Sequence, residues 1–292
     1  MNNHRITVIV RKIALALCVG ALPFLCCAPA SAQETVAPDA SGTSRWLDDY
    51  HQHIGLTYNA QATVQAAYLW RGLYCGAFNL QGSANVGYGG LYLDMWWNIG
   101  TTDWSFRTFQ PEVDFSLGFS RWGLDVYLLY IYNFNCGFFD FTNYPDHGNR
   151  LELNVRYTVS SKLPLSILWA TRVAAADSYV NAMGDTVRAY SSYAEISYTH
   201  HFPYDISLYG AIGITPWRSV YTHYQRDFAV QNIELRLRKD WSLSERCGLK
   251  LQGTLSINPS ALAADKSTAR WHPKSPDYQA INTNIAIGVY LR

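Results

Sequence analysis

The sequence predicts an all-β fold: a twelve-stranded antiparallel up-and-down transmembrane β-barrel with short periplasmic turns and longer extracellular loops. Three observations predict it. Apolar and polar residues alternate in twelve segments, the connections alternate between short and long, and charged residues make up only 15% of the 292-residue chain. Typical soluble domains contain about 25% charged residues. Because alternation gives each strand one apolar and one polar face, we expect the apolar faces to lie against lipid.

The first 32 residues are predicted to be a cleaved secretory signal peptide. Arg5, Arg11 and Lys12 precede an apolar run over residues 13–27, and a small-residue cleavage site follows at Ala30-Ser31-Ala32. The apolar run is too short for a spanning helix. Residues 33–61 are predicted to form an N-terminal periplasmic tail, and residues 62–292 the barrel. The predicted location is therefore the bacterial outer membrane, with its lipid as a partner.

Charge excludes one class of partner. Cleavage removes three of the 23 basic residues and none of the 22 acidic ones, so the mature chain carries a net charge of −2. No basic patch is present, and nucleic acid is not expected as a partner.

The clearest element is a predicted β-hairpin from Leu80 to Ile99. Apolar and polar residues alternate on both sides of Gly89-Gly90. These two glycines supply the positive φ values that a tight hairpin turn requires. The same alternation predicts strands at residues 62–71, 79–88, 91–99, 110–119, 122–132, 150–157, 165–173, 193–198, 206–215, 232–238, 249–258 and 281–291.

The connections fall into two classes. Short turns join five pairs of predicted strands: the second to the third, the fourth to the fifth, the sixth to the seventh, the eighth to the ninth, and the tenth to the eleventh. Longer connections are predicted at residues 134–148, 175–188, 216–228 and 259–279, whereas the first connection, at 73–77, is a short exception. Short links at one rim and long loops at the other are typical of outer-membrane barrels.

Aromatic residues near the strand ends favour a membrane barrel over the alternative, a large periplasmic β-sandwich. Tyrosine and tryptophan rings collect at both membrane interfaces. About ten residues at a tilt of roughly 40° also span the 25 Å apolar band of such barrels. The predicted interface residues are Tyr68, Trp70, Trp97, Tyr130 and Tyr132 at the long-loop rim, and Tyr88, Phe119, Trp122, Tyr157 and Tyr198 at the other.

Two short motifs carry a resemblance. Trp70-Arg71-Gly72 and the segment from Gly213 to Trp217 resemble motifs of a family of uncharacterised outer-membrane β-barrels from diderm bacteria. The resemblance runs from about residue 60 to the end, and it implies a fold and a location but no activity. The chain departs from such barrels at its end, which is Leu291-Arg292 instead of an aromatic residue.

The polar face predicts a charged lumen, about 24 Å wide between backbones for twelve tilted strands. One interpretation is an ion-pair network that braces the wall. The other is a narrow, porin-like diffusion channel for small hydrophilic solutes, without strong ion selectivity because the charges balance. The predicted lumen-lining charges are Arg71, Asp94, Glu112, Asp114, Asp125, Arg150, Glu152, Arg156, Arg172, Glu195, Glu234, Arg236, Arg238 and Lys250.

The long loops support an alternative function, a closed barrel whose aromatic loops bind a glycan or a partner such as a surface lipoprotein. The same rings would also suit a loop that simply packs over the barrel mouth. The residues are Phe134, Phe138, Phe139, Phe141, Tyr144, Trp217, Tyr221 and Tyr224.

Cysteines and histidines give weaker indications of a disulfide, a metal site or a catalytic site. Cys75 and Cys136 lie in connections on the long-loop side, so a disulfide between them is possible in an oxidising compartment, whereas Cys247 lies near the opposite rim. The histidines form no catalytic or metal-binding pattern, and the chain has no Gly-rich phosphate loop. We therefore expect no enzyme, no metal and no cofactor.

Overall fold

The computed structural model describes residues 55–134, 136–141, 149–262 and 280–291. The predicted signal peptide and most of the predicted tail lie outside the described residues. The strands are β1 (Leu56–Gln65), β2 (Tyr68–Trp70), β3 (Leu73–Gly76), β4 (Asn79–Tyr88), β5 (Leu91–Thr101), β6 (Phe109–Arg121), β7 (Leu124–Tyr132), β8 (Arg150–Thr158), β9 (Leu165–Ala174), β10 (Ser178–Val180), β11 (Thr186–Arg188), β12 (Ser192–Phe202), β13 (Ile206–Thr215), β14 (Ala229–Ser242), β15 (Cys247–Ile257) and β16 (Ile281–Leu291).

Twelve of these strands form one closed antiparallel barrel. Each wall strand pairs with the next wall strand along the chain, and β1 closes the cylinder by pairing with both β4 and β16. The four short strands form two separate hairpins, β2–β3 and β10–β11, within the loops. The predicted twelve-stranded up-and-down fold is confirmed. No helix in the described part is long and apolar enough to cross a membrane.

The outside of the barrel is apolar and the inside is polar. Leu91, Leu117 and Ile285 keep more than 60% of their surface exposed, whereas inward Asn85 and Asn154 are buried. A soluble protein would bury such leucines and isoleucines in a core. Lipid is the solvent that suits this outer surface, and a closed barrel satisfies every backbone hydrogen bond along its wall.

The connections define two rims. The turn rim carries the links at residues 89–90, 122–123, 159–164, 203–205 and 243–246. The loop rim carries those at 66–78, 102–108, 133–149, 175–191, 216–228 and 258–280. The first connection, predicted as a short exception, is therefore one of the long loops.

The first wall strand differs from the prediction. It begins at Leu56, before the predicted barrel boundary at residue 62, and it ends at Gln65. Tyr68 and Trp70 belong to β2, which folds into the lumen. Their predicted place at the lipid interface is therefore wrong. Seven of the other eight predicted interface aromatics follow the outward phase of their strands, and Trp122 lies exposed in the turn between β6 and β7. Local alternation does not reveal that the chain leaves the wall at Ala66.

Candidate functional site: the barrel lumen

All fourteen predicted lumen charges point into the barrel. Thirteen are on wall strands, in the same alternating phase as buried asparagines and serines such as Asn154 and Ser116. The exception is Arg71, which lies at the turn between β2 and β3. Asp240 joins this set although the prediction missed it, because the alternation that places Arg236 and Arg238 inward continues for one more pair of residues.

The β2–β3 hairpin crosses the lumen from the loop rim. Its turn is Arg71-Gly72, and both residues have positive φ, 50° and 80°. The Gly72 carbonyl accepts a hydrogen bond of 3.2 Å from the Asn258 amide at the end of β15. A Cβ added at Gly72 would lie 3.1 Å from the carbonyl carbon of Gln231 on β14 and closer still to its oxygen. Only glycine permits this approach, so the hairpin tip is pressed against the wall.

Arg71 ties the hairpin to another part of the wall. Its guanidinium donates hydrogen bonds to Glu152 at 2.9 Å and to Asn154 at 3.1 Å, both on β8. Arg172 on β9 pairs with the other oxygen of Glu152 at 3.5 Å. Glu152 is fully buried. A carboxylate out of water is tolerated here because two guanidinium groups compensate its charge.

Aromatic rings surround the Arg71 guanidinium. Its central carbon lies 4.5 Å from the ring centre of Trp70, 5.0 Å from that of Tyr193 and 5.9 Å from that of Tyr221. Arg71 also donates a short hydrogen bond to the Tyr221 hydroxyl. These distances are within cation–π range, and such contacts are strongest where water is absent.

The loop between β13 and β14 completes this closure. Its 3₁₀ turn, Val220–Thr222, places Tyr221 against inward residues Leu168 and Tyr193. Trp70 and Leu73 of the hairpin pack on the same cluster. The result is a small apolar core inside the barrel, near the loop rim.

Inward side chains on several wall strands are buried at the level of the hairpin. Asn79 on β4, Asn154 on β8, Tyr193 on β12, Asn232 on β14 and Asn258 after β15 are all shielded from solvent. These residues come from opposite sides of the wall. At this level the hairpin and the β13–β14 loop therefore fill the lumen.

A second polar cluster lies beside the hairpin. The Tyr68 hydroxyl donates to Glu112 at 3.0 Å. In the amide orientation that satisfies both neighbours, Asn133 donates to Glu112 at 2.7 Å and accepts from Arg150 at 3.2 Å. Glu112 and Arg150 are thus linked through an amide, and Tyr68 holds the base of the hairpin to this cluster.

Shorter-range pairs link other charged groups along the lumen wall. Glu195 accepts hydrogen bonds from Tyr193 at 2.6 Å and from Tyr209 at 2.7 Å. Elsewhere Arg236 pairs with Glu234, Arg238 pairs with Asp240 at 2.6 Å, and Tyr92 donates to Asp125 at 2.8 Å. Each of these acidic groups therefore has a donor beside it.

Inward tyrosines lie flat against glycines on the neighbouring strand. A Cβ added at Gly213 would lie 2.6 Å from the Cε2 atom of Tyr193, and one at Gly248 would lie 2.8 Å from that of Tyr290. Tyr92 covers Gly118 in the same way. Each glycine makes room for a ring along the wall, so the ring does not project across the bore.

A small polar cavity, about 40 Å³ in volume, lies below the hairpin. Its lining is rich in amides and hydroxyls and also includes Leu69 of the hairpin, Trp96, Glu234 and Arg236. Lys250 reaches in from β15 and donates to Gln61 at 2.6 Å. The amide and hydroxyl residues are Gln61, Thr63, Gln65, Gln81, Gln252, Thr254 and Asn284.

The predicted loop residues do not form one surface. Tyr221 packs inside the lumen, whereas the Trp217 ring lies 5.5 Å from that of Trp169. Tyr224 stacks on Tyr179 at 5.8 Å. Tyr144 lies outside the described residues. Of the remaining rings, Phe138 and Phe141 pack beside Tyr130 on the outer face of the barrel and Phe134 packs beside Tyr132, whereas Phe139 contacts Phe138 and is largely exposed.

The Cys75–Cys136 disulfide is absent from the structure. The Cys136 thiol lies 3.5 Å from the side-chain oxygen of Asn149, and the Cys75 thiol lies 4.0 Å from the Leu73 carbonyl. The two cysteines lie in different environments, because β3 folds into the lumen and Cys136 follows β7 on the lipid side. Within the described ranges, no three His, Cys, Asp or Glu side chains are grouped to hold a metal ion.

Comparisons with known proteins give only distant similarities. No family model matches the chain, and no curated protein matches it. Among solved structures, the NanC porin covers 81% of this chain and is itself covered completely, at 11% identity and a TM-score of 0.47. The KdgM porin covers 80% of this chain and 98% of its own, at 8% identity and a TM-score of 0.40.

A third structure is OmpF of Salmonella typhi in complex with daunomycin. It covers 81% of this chain and 97% of its own, at 7% identity and a TM-score of 0.37. Identities and TM-scores this low leave the function to be inferred from the residues of this chain.

Proposed function

We propose that the chain is an outer-membrane β-barrel channel that lets small hydrophilic solutes pass through a narrow lumen. The observation that carries the proposal is the polar cavity below the hairpin, lined by amides, hydroxyls and charges. If the lumen side chains only had to pack the barrel, apolar side chains would give equal or greater stability. Buried ion pairs rarely stabilise a fold more than apolar side chains of similar size do. A polar lining suits water and solutes.

The arrangement of charge favours weak selectivity. In the cavity, Glu234 offsets Arg236, and Lys250 is bonded to a neutral amide. Facing or adjacent opposite charges produce a local field but no strong barrier to ions of either sign. The solutes that fit are small, and they are neutral or zwitterionic.

The β2–β3 hairpin has to yield before solutes pass the loop rim. It is held by Arg71, by the contact of Gly72 with β14, and by the cluster around Tyr221. Its two ends, however, are already adjacent, because Gln65 of β1 and Asn79 of β4 are paired partners in the wall. The hairpin can therefore leave the lumen without disturbing the barrel.

The test is conductance in planar bilayers, for the wild-type chain and for a variant in which residues 67–77 are replaced by a short Gly-Ser turn. We expect rare, small steps from the wild type and frequent, larger steps from the variant. A matched control replaces residues 178–188, the β10–β11 hairpin, in the same way and should behave like the wild type. Silence from all three, with intact barrels by circular dichroism, would refute the channel.

A second candidate is a closed barrel that uses its loops to bind a glycan or a surface lipoprotein. The observation in its favour is the filled lumen at the loop rim, together with exposed rings such as Phe139. This function predicts silence from the hairpin-replacement variant and a glycan or lipoprotein that co-purifies with the wild type. Neither candidate is an enzyme, and both place the mature chain in the outer membrane after export.

A further inference from the structure

After Asn133, whose side chain bonds to the lumen residues Glu112 and Arg150, residues 134 and 136–141 turn outward, away from the barrel mouth. This segment follows β7, whose residues Tyr130 and Tyr132 face the lipid side. The Phe138 ring lies 5.0 Å from Tyr130, 5.2 Å from Tyr132 and 6.4 Å from Phe115 on β6. Phe138 therefore extends the lipid-facing surface of two wall strands.

Hydrogen bonds hold this segment against the wall. The Tyr130 hydroxyl donates to the Phe138 carbonyl, and the Tyr132 hydroxyl donates to the Cys136 carbonyl at 3.4 Å. The Asn149 amide donates to the carbonyls of Gly137 and Phe138, each at 2.8 Å. These bonds satisfy carbonyls that would otherwise be costly to place near hydrocarbon.

Three rings of the segment keep much of their surface exposed. Phe139 keeps 81% of its surface exposed, Phe134 50% and Phe138 44%. Asp140 is the only residue from 133 to 141 that carries a full charge. An exposed aromatic patch of this kind marks an interaction surface, and this one is continuous with the apolar band of the barrel.

We propose that residues 134 and 136–141 form a membrane anchor whose phenylalanines insert into the lipid leaflet at the loop rim. The occupant is lipid because the rings continue a surface that lipid already covers, and because aromatic rings favour the boundary between headgroups and acyl chains. The anchor ties the residues that follow β7 to the bilayer and keeps them clear of the barrel mouth.

The test uses a nitroxide label at Phe139→Cys, in a background with Cys75→Ser, Cys136→Ser and Cys247→Ser. The mature full-length barrel is reconstituted into phosphatidylcholine vesicles, and the label's collision rates with oxygen and with a water-soluble nickel complex are compared. Oxygen concentrates in lipid and the nickel complex in water, so their ratio reports the depth of the label.

Two matched positions calibrate this ratio. Leu128→Cys places the label on the lipid face of β7, and Met183→Cys places it in the exposed β10–β11 loop. We expect the Phe139 label to favour oxygen at least several-fold more than the Met183 label, and to approach the Leu128 label.

Two results would overturn the proposal. One is a ratio at position 139 equal to that at position 183, which would place the ring in water. The other is spin–spin broadening at position 139 that disappears on dilution with unlabelled protein, which would make the surface a contact between two copies. Vesicle-free barrels in detergent, checked by circular dichroism, confirm that each labelled variant is folded.

Discussion

Arg71 and Glu152 form an ion pair of 2.9 Å that joins the hairpin of the first loop to β8, although 81 residues separate them in the chain. On the wall, β5, β6 and β7 lie between β8 and β4, the strand that follows the hairpin. The pair therefore bridges the lumen instead of linking neighbouring strands. It is one of the contacts that hold the hairpin inside the lumen near the loop rim.

Arg71→Ala should open the channel. The change removes the hydrogen bond from Arg71 to Glu152, and loss of a hydrogen bond to a buried charge costs about 1.5–3 kcal/mol. Since about 1.4 kcal/mol corresponds to a factor of ten, the open fraction in bilayer recordings should rise roughly tenfold or more. The matched control is Arg218→Ala, which breaks an exposed pair with Asp227 of similar length and should leave conductance unchanged. Equal conductance of the two variants would contradict the role of Arg71.

Gly72→Ala should also displace the hairpin from the lumen, because the added side chain clashes with the wall. An added methyl group meets the Gln231 carbonyl at the wall, and the positive φ of 80° adds backbone strain. Gly184 has a similar φ, 88°, but open space around it. Gly184→Ala thus shares the strain and lacks the clash. We expect larger conductance steps from Gly72→Ala only, and matching behaviour of the two variants would show that the close approach is unimportant.

Gly213→Ala should destabilise the barrel wall. The new methyl group overlaps the Tyr193 ring, which is fully buried and has no space to move. Overpacking of this kind costs about 1–3 kcal/mol, measurable as a lower urea midpoint for unfolding in detergent micelles. Gly253→Ala is the control, because nothing lies within 4 Å of its added Cβ. A midpoint for Gly213→Ala as high as that of the control would rule out the tyrosine–glycine contact as a packing requirement.

Lys250→Gln should shift the ion selectivity toward cations. The change removes one positive charge from the cavity while keeping a side chain that can bond to Gln61. In a potassium chloride gradient, the reversal potential should move in the direction of cation permeation. Lys239→Gln removes an outward lysine that bonds to the Tyr204 carbonyl near the turn rim, and it should have no effect. An unchanged potential for Lys250→Gln would mean that ions do not pass this cavity.

The strand alternation was sufficient to predict the wall and the charged lumen. In β4 and β5, period-two alternation and Gly89-Gly90 predict both strands and their turn, and the structure confirms them. The inward phase of Arg150, Glu152 and Arg156 follows from the same pattern. Asp240 shows where prediction from alternation fails. β14 continues beyond the point at which the contrast between apolar and polar residues weakens, so the sequence did not place Asp240 in the lumen.

Tyr68 and Trp70 show why alternation is insufficient at the loops. Both rings continue the apolar phase of β1, and in sequence nothing separates an apolar ring that meets lipid from one that meets other rings. The structure turns them inward, where Tyr68 contacts Glu112 and Trp70 contacts Tyr221. The partners are 44 and about 150 residues away, so only the closed barrel brings them together.

The sequence by itself determined the strand number, the two rims and the inside-out arrangement, because each follows from local periodicity and turn length. The tertiary structure alone decided that the β2–β3 hairpin lies inside the lumen and that the Phe138 ring packs on Tyr130 and Phe115 outside it. Both depend on contacts between segments that are distant in the sequence, and such contacts produce no periodic pattern of residues from which they could be predicted.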